Sequence, residues 1–143
     1  MDGFLGTDAS VWSDLSLVLA LALGATAVSG GIRAHQKRFS THCPVMATAM
    51  FLNWIPVLLI MIPGWFEALA GESPAPAPFT LAPVFHGILG GVTQLLMTYT
   101  VIRMYWRQEL PPEQPIWLMR GTLTLWLLTL IGGTAVYVVQ YVI

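Results

Sequence analysis

Four apolar stretches of roughly 20 residues, separated by short polar connections, constrain this chain more than any other feature of its sequence. The first lies between Asp14 and Arg33 and reads LSLVLALALGATAVSGGI, without a charge. The second runs from about Pro44 to Phe66, the third from about Leu81 to Ile102, and the fourth from about Ile116 to Ile143. A bilayer core is about 30 Å thick and takes a helix of about 20 residues to cross. Lipid offers the backbone no hydrogen-bond partners, so each stretch is expected to be an α-helix. A membrane barrel would instead alternate with period two in segments of about ten residues. Only 9% of the residues are charged, against about 25% in a soluble domain, too few to clothe a water-facing surface. The predicted fold is all-α: an integral membrane four-helix bundle formed by residues 1–143 as one domain, with helices near 14–34, 43–68, 81–106 and 115–142.

Charge placement gives the orientation. All six basic residues, Arg33, Lys37, Arg38, Arg103, Arg107 and Arg120, fall in or beside the first and third connections. Asp2, Asp8, Asp14, Glu67 and Glu72 sit on the N-terminal tail or at the second connection, and only Glu109 and Glu113 share a connection with bases. Bases stay on the cytoplasmic side, so both termini are expected outside. The first fourteen residues carry three Asp and no base, whereas a signal peptide opens basic, so the first helix is read as retained. The single Cys43 excludes an internal disulfide and is read as a buried or idle thiol.

Helices in lipid pack through small residues. Gly87 and Gly91 form a GxxxG pair, with Gln94 and Thr98 continuing that face, while Ala20, Gly24, Ala27 and Gly31 give the first helix a similar stripe. These are read as bundle-packing seams. Pro56 and Pro63 are expected to bend the second helix, and SPAPAP at 73–78 reads as an extended external connection. Trp12, Trp65, Phe66 and Phe79 on one side, and Tyr105, Trp106 and Trp117 on the other, make the interfacial aromatic belts.

Ionisable groups within the membrane are costly and therefore the first functional candidates. Arg38, Arg103, Arg107 and Arg120, with His35 and His42 nearby, gather toward one face, where they are expected to contact anionic lipid headgroups or an anionic ligand. His86 stands one to two turns into the third helix from the other face, with Glu67 as its expected hydrogen-bond partner. The depths of His42 and His86 differ by roughly 20 Å at about 1.5 Å per residue, so one iron cannot bridge them. A haem held by a single histidine, or docked transiently, stays open. No phosphate-binding glycine loop, HExxH, CxxC or basic run suited to nucleic acid is present. An exporter would want an acid within a helix, and none is expected; Asn53 and Gln94 are the strongest midplane polar groups.

The stretch GATAVSGGIRAHQKRFSTHCPVMATAMFL, the FHGILGGV opening of the third helix and MRGTLTLWLLTLIGGTAVYVV resemble the small four-helix membrane family that includes the cytochrome oxidase assembly factor CtaM. The resemblance spans about four fifths of the chain and would match His42, His86, Arg120 and Trp126 to that family's pattern. It implies a role in maturing or accompanying haem-copper oxidases. The expected function is a non-catalytic accessory or assembly subunit of a membrane electron-transfer complex in the bacterial cytoplasmic membrane, with membrane lipids and a larger membrane complex as partners. Alternatives are a haem-handling or electron-carrying protein using His42, His86 or both, and a lipid- or quinone-site subunit.

Overall fold

The computed structural model describes residues 3–72, 78–107 and 114–143, without the side chains of residues 105–107, 114 and 115. It is all-helical, with no strand among the described residues. Four spans are long and apolar enough to cross a membrane: Val11–His35, Phe39–Leu69, Phe79–Met104 and Ile116–Tyr141. Residues 73–77 of the SPAPAP connection, together with Glu109 and Glu113, lie outside the described residues.

Helix α1 is Val11–His35. Ser10 caps it, its Oγ accepting the Ser13 N–H at 3.1 Å, which satisfies one of the free amides at a helix start. The helix therefore begins three residues before the expected 14, and Asp14 belongs to its first turn rather than to the tail. At the far end Lys37 takes the left-handed conformation, φ 59. There the Arg38 N–H reaches back to Arg33 O at 2.9 Å, closing the helix in the manner usually left to glycine.

The second span is three helical pieces in line: α2 (Phe39–Pro56), a π-helical turn (Val57–Met61) and α3 (Ile62–Leu69). Its irregularity follows from Pro56 and Pro63. Each lacks an amide hydrogen, and the ring of Pro63 would press on the carbonyl of Leu59, four residues back. The backbone widens instead, and the Ile62 N–H bonds Val57 O, five residues back, as in the π-bulges that relieve such crowding. Gly71, at φ 82, ends the span. The third span continues a short 3-10 turn (Phe79–Leu81) into α4 (Ala82–Val101) and a π-helical Ile102–Arg107, and the last is α5 (Gln114–Tyr141).

The spans close into a ring: α1 packs on α2 and α5, and α4 packs on α5 and on the second span. On α1 the small-residue stripe faces α5. Leu130 fits against Gly24 and Leu123 against Gly31, seven residues apart on both helices and running in opposite directions. Gly30 instead receives Met46 of α2. The core between the helices is Leu23, Ala27, Ala49, Met50, Met97 and Trp126. Both termini lie at one end of the bundle, because Tyr137 and Tyr141 near the end of α5 meet Thr7 at 2.8 Å and Ser13 at 3.3 Å respectively. The α1–α2 connection, the end of the third span and the start of α5 therefore lie at the other end.

Candidate functional site

Glycine and proline together open a cleft in the half of the bundle that carries the termini. Gly87, Gly90 and Gly91 on α4 and Gly133 on α5 take up no side-chain volume along it, and Val57 and Met61 of the π turn and Pro63 of α3 also border it. The resulting space is about 750 Å³, within the range of small-molecule sites. The expected GxxxG pair divides its labour at the cleft wall. A side chain at Gly87 would strike the Trp65 indole, whereas nothing lies within 4 Å of the Cβ position at Gly91. Gly87 is thus a packing contact, and Gly91 faces open space.

The floor of the cleft is polar. Asn53 Nδ2 donates to Gln94 Oε1 at 2.7 Å, and Gln94 Nε2 donates to Met50 O at 3.3 Å, linking α2 to α4. Beside this pair, Trp54 Nε1 donates to Thr98 Oγ1 at 3.1 Å, and the Thr93 and Thr129 hydroxyls are 3.1 Å apart. Asn53 is only 7% exposed and Gln94 3%. Such bonds between membrane helices contribute about 0.6 kcal/mol on average and up to about 1.7 kcal/mol. Asn53→Leu and Gln94→Leu are each expected to lower stability by about 1 kcal/mol, read as a shift of the unfolding midpoint in mixed micelles. The double substitution is expected to cost less than the sum, since it leaves neither amide stranded. Strict additivity would show that the two amides do not interact.

No family model, curated protein or solved structure matches this chain. What the site can do is therefore read from its own geometry.

The two candidate histidines, His42 and His86, lie far apart in different surroundings. His42, buried between α1 and α2, places Nδ1 2.8 Å from the carbonyl of Gly30, so an Nδ1–H donor pins the two helices together. His86 makes no hydrogen bond with Glu67 among the described residues; Glu67 is exposed. Its ring turns to α5 instead, where a Cβ on Gly133 would come within 2.8 Å of Cε1 and 3.0 Å of Nε2. Taking the Asn53–Gln94 bond as the register between spans, the imidazoles are separated by about 28 Å along the helices at about 1.5 Å per residue. The residues do not fit a haem. His42 does not border the cleft, and the Nε2 edge of His86 lies close to α5 at Gly133. The basic side chains that would pair with propionates lie toward the opposite end. Among the described residues no three His, Cys, Asp or Glu side chains are placed to share a metal.

The structure adds a buried acid within a helix, where none was expected. Asp14 is 0% exposed; its Oδ2 accepts the Leu5 N–H at 2.8 Å and its Oδ1 accepts the Tyr137 hydroxyl. Thr7 Oγ1 completes the group, 2.8 Å from Tyr137. The segment Gly3–Ser10 is thereby folded over the end of the bundle, beside Ser13 and Tyr141 at the mouth of the cleft. Placed in the first turn of α1, the carboxylate also meets the favourable end of the helix dipole.

At the opposite end the bases are arranged in two tiers. Arg38, Lys37 and Arg120 are exposed. Arg103 is half-buried, with its guanidinium 5.7 Å from the centre of the Tyr99 ring and its Nε without a hydrogen-bond partner among the described residues. The 3.4 Å contact of Thr100 with Thr122 sets Arg103 and Arg120 at similar depth on neighbouring antiparallel helices. The side chain of Arg107 lies outside the described residues. Cys43 is free and half-buried.

Proposed function

We propose that the chain is a multi-pass protein of the bacterial cytoplasmic membrane, with both termini on the outer side, serving as a non-catalytic accessory or assembly subunit of a membrane electron-transfer complex related to the haem-copper oxidases. Charge supports the orientation: Arg33, Lys37, Arg38, Arg103 and Arg120 belong to the end opposite the termini, and bases are retained on the cytoplasmic side.

The observation that carries the accessory role is the bare face of α4. In its apolar 18-residue stretch the third span is 11% buried within the chain, against 22% in the corresponding stretch of each of the other three. Along it Phe85, Ile88, Val92, Leu95, Tyr99 and Ile102 are all exposed, at alternating spacings of three and four residues. That is the pattern by which one helix receives another. Lipid tails are as apolar as leucine, so association between membrane helices is decided by packing. The regular row of large exposed side chains on α4 supplies the knobs for it. The resemblance of the chain to an assembly-factor family points the same way.

Photo-crosslinking groups at Phe85 and Val92 test this in native membranes. They are expected to capture a subunit of an electron-transfer complex, identified by mass spectrometry, at least several-fold more efficiently than the same groups at Leu21 or Val28 on α1. Capture of lipid alone, or equal capture from α1 and α4, overturns the role.

A further inference from the structure

The cleft is matched to a ligand by three features. Its chemistry is aromatic and without a basic chain: the indoles of Trp54, Trp65 and Trp126 border it, Glu67, Glu72 and His86 border it too, and no lysine or arginine does among the described residues. A phosphate or carboxylate head would find no cation there. The indole N–H groups of Trp54 and Trp65 are already committed, to Thr98 Oγ1 and Val84 O, which leaves ring surface on offer.

The second feature is an unused acceptor. Asn53 borders the cleft and is more than nine-tenths buried, at 7% exposure. Its Nδ2 is bonded to Gln94, yet its Oδ1 receives no hydrogen bond from any described residue. That oxygen is not among the fully enclosed unpaired side-chain atoms of the described residues, so it opens onto the cleft, where a ligand hydroxyl can donate to it. The third feature is the way in. Leu59 and Ile62 of the second span and Ile88 and Leu95 of α4 border the cleft and are also exposed on the outside of the bundle. The space therefore opens sideways between the second and third spans, at the depth of the acyl chains.

We propose that this cleft binds a lipophilic quinol: the aromatic ring lies among the indoles, one ring hydroxyl donates to Asn53 Oδ1, and the isoprenoid tail leaves between the second and third spans. This rests on the chain being membrane-embedded but not on any partner complex, so it is tested on the isolated protein.

The full chain in phosphatidylcholine nanodiscs is titrated with a short-chain ubiquinol analogue under reducing conditions, following tryptophan fluorescence. Saturable quenching is expected. Gly91→Leu fills the cleft at a position with no neighbour within 4 Å, and is expected to raise the half-saturation concentration at least tenfold without changing the unfolding midpoint. Asn53→Leu is expected to raise it at least tenfold as well, alongside its lowered unfolding midpoint, and the quinol with both hydroxyls O-methylated is expected to bind the unaltered chain at least tenfold more weakly. Ile131→Val, on the exposed face of α5, serves as the control and is expected to leave the titration unchanged. If Asn53→Leu does not fold, Gly91→Leu and the methylated analogue decide. Equal titration of the unaltered chain and Gly91→Leu, or equal binding of the methylated analogue, overturns the proposal. So does a co-purifying phospholipid that Gly91→Leu displaces.

Discussion

Asp14→Ala is expected to be the most damaging polar substitution in the chain, lowering stability by about 3 kcal/mol and freeing the segment that precedes α1. The carboxylate is fully buried and holds the Leu5 N–H and the Tyr137 hydroxyl together. Removing it strands a backbone donor, and an unmade buried bond costs about 1–3 kcal/mol, more where a charge is involved. The Tyr137 hydroxyl keeps Thr7, so its loss is only partial. Asp14→Asn retains an acceptor of the same shape and is expected to cost about 1 kcal/mol, as is Tyr137→Phe. Unfolding midpoints in mixed micelles measure the order, and hydrogen exchange at the Leu5 amide measures the release directly. Protection at Leu5 that survives Asp14→Ala would place that amide on another acceptor.

The residues that could not be assigned from the sequence are those whose meaning depends on where a helix begins. An acid fourteen residues from the start, beside a long apolar run, reads as the last polar residue before the membrane. One signal was available: Ser10 followed by VWSD has an N-cap residue and then an acid in the first turn. Reading that cap would have set the helix start at Val11 and brought Asp14 inside. Its partner Tyr137 had no local sign at all, because aromatic residues near a span end suit an interface equally well.

The spans themselves were legible because length, hydrophobicity and charge are local properties, and the bounds differ from expectation by only a few residues. Contacts between spans were not. The small-residue stripe on α1 was visible as a stripe, but nothing in it says that Gly24 and Gly31 face Leu130 and Leu123 of α5, while Gly30, outside the stripe, faces Met46 of α2. His86 was paired with Glu67 on depth alone. Rotation about the α4 axis sends the ring to Gly133 instead, and a single chain carries no trace of that angle. Asn53 and Gln94 were noted as midplane polar groups, and their bond joins them because an amide in an apolar interior needs a partner. Pro56 and Pro63 announced an irregular helix, while the π turn between them and the cleft beside it needed the neighbouring helices to be in place.

The two glycines of the GxxxG motif are expected to respond in opposite ways, and this separates the described packing from a generic helix-dimer seam. At Gly87 a Cβ would lie 2.7 Å from Nε1 and 2.8 Å from Cγ of Trp65, and that ring cannot retreat freely because Nε1 donates to Val84 O at 3.1 Å. Gly87→Ala must displace the indole or push α3 from α4, an overpacking cost of about 2–3 kcal/mol. At Gly91 a Cβ meets nothing within 4 Å, and Gly91→Ala is expected to stay within about 0.5 kcal/mol of the unaltered chain, tilting toward stabilisation because alanine is the better helix former. Unfolding midpoints give the comparison, and a red shift of tryptophan emission in Gly87→Ala alone would report the indole leaving its place. Were the motif a symmetric contact between two copies, both glycines would approach the partner backbone and both substitutions would weaken association alike. Equal losses at the two positions would therefore remove Trp65 from Gly87 and put a second helix there instead.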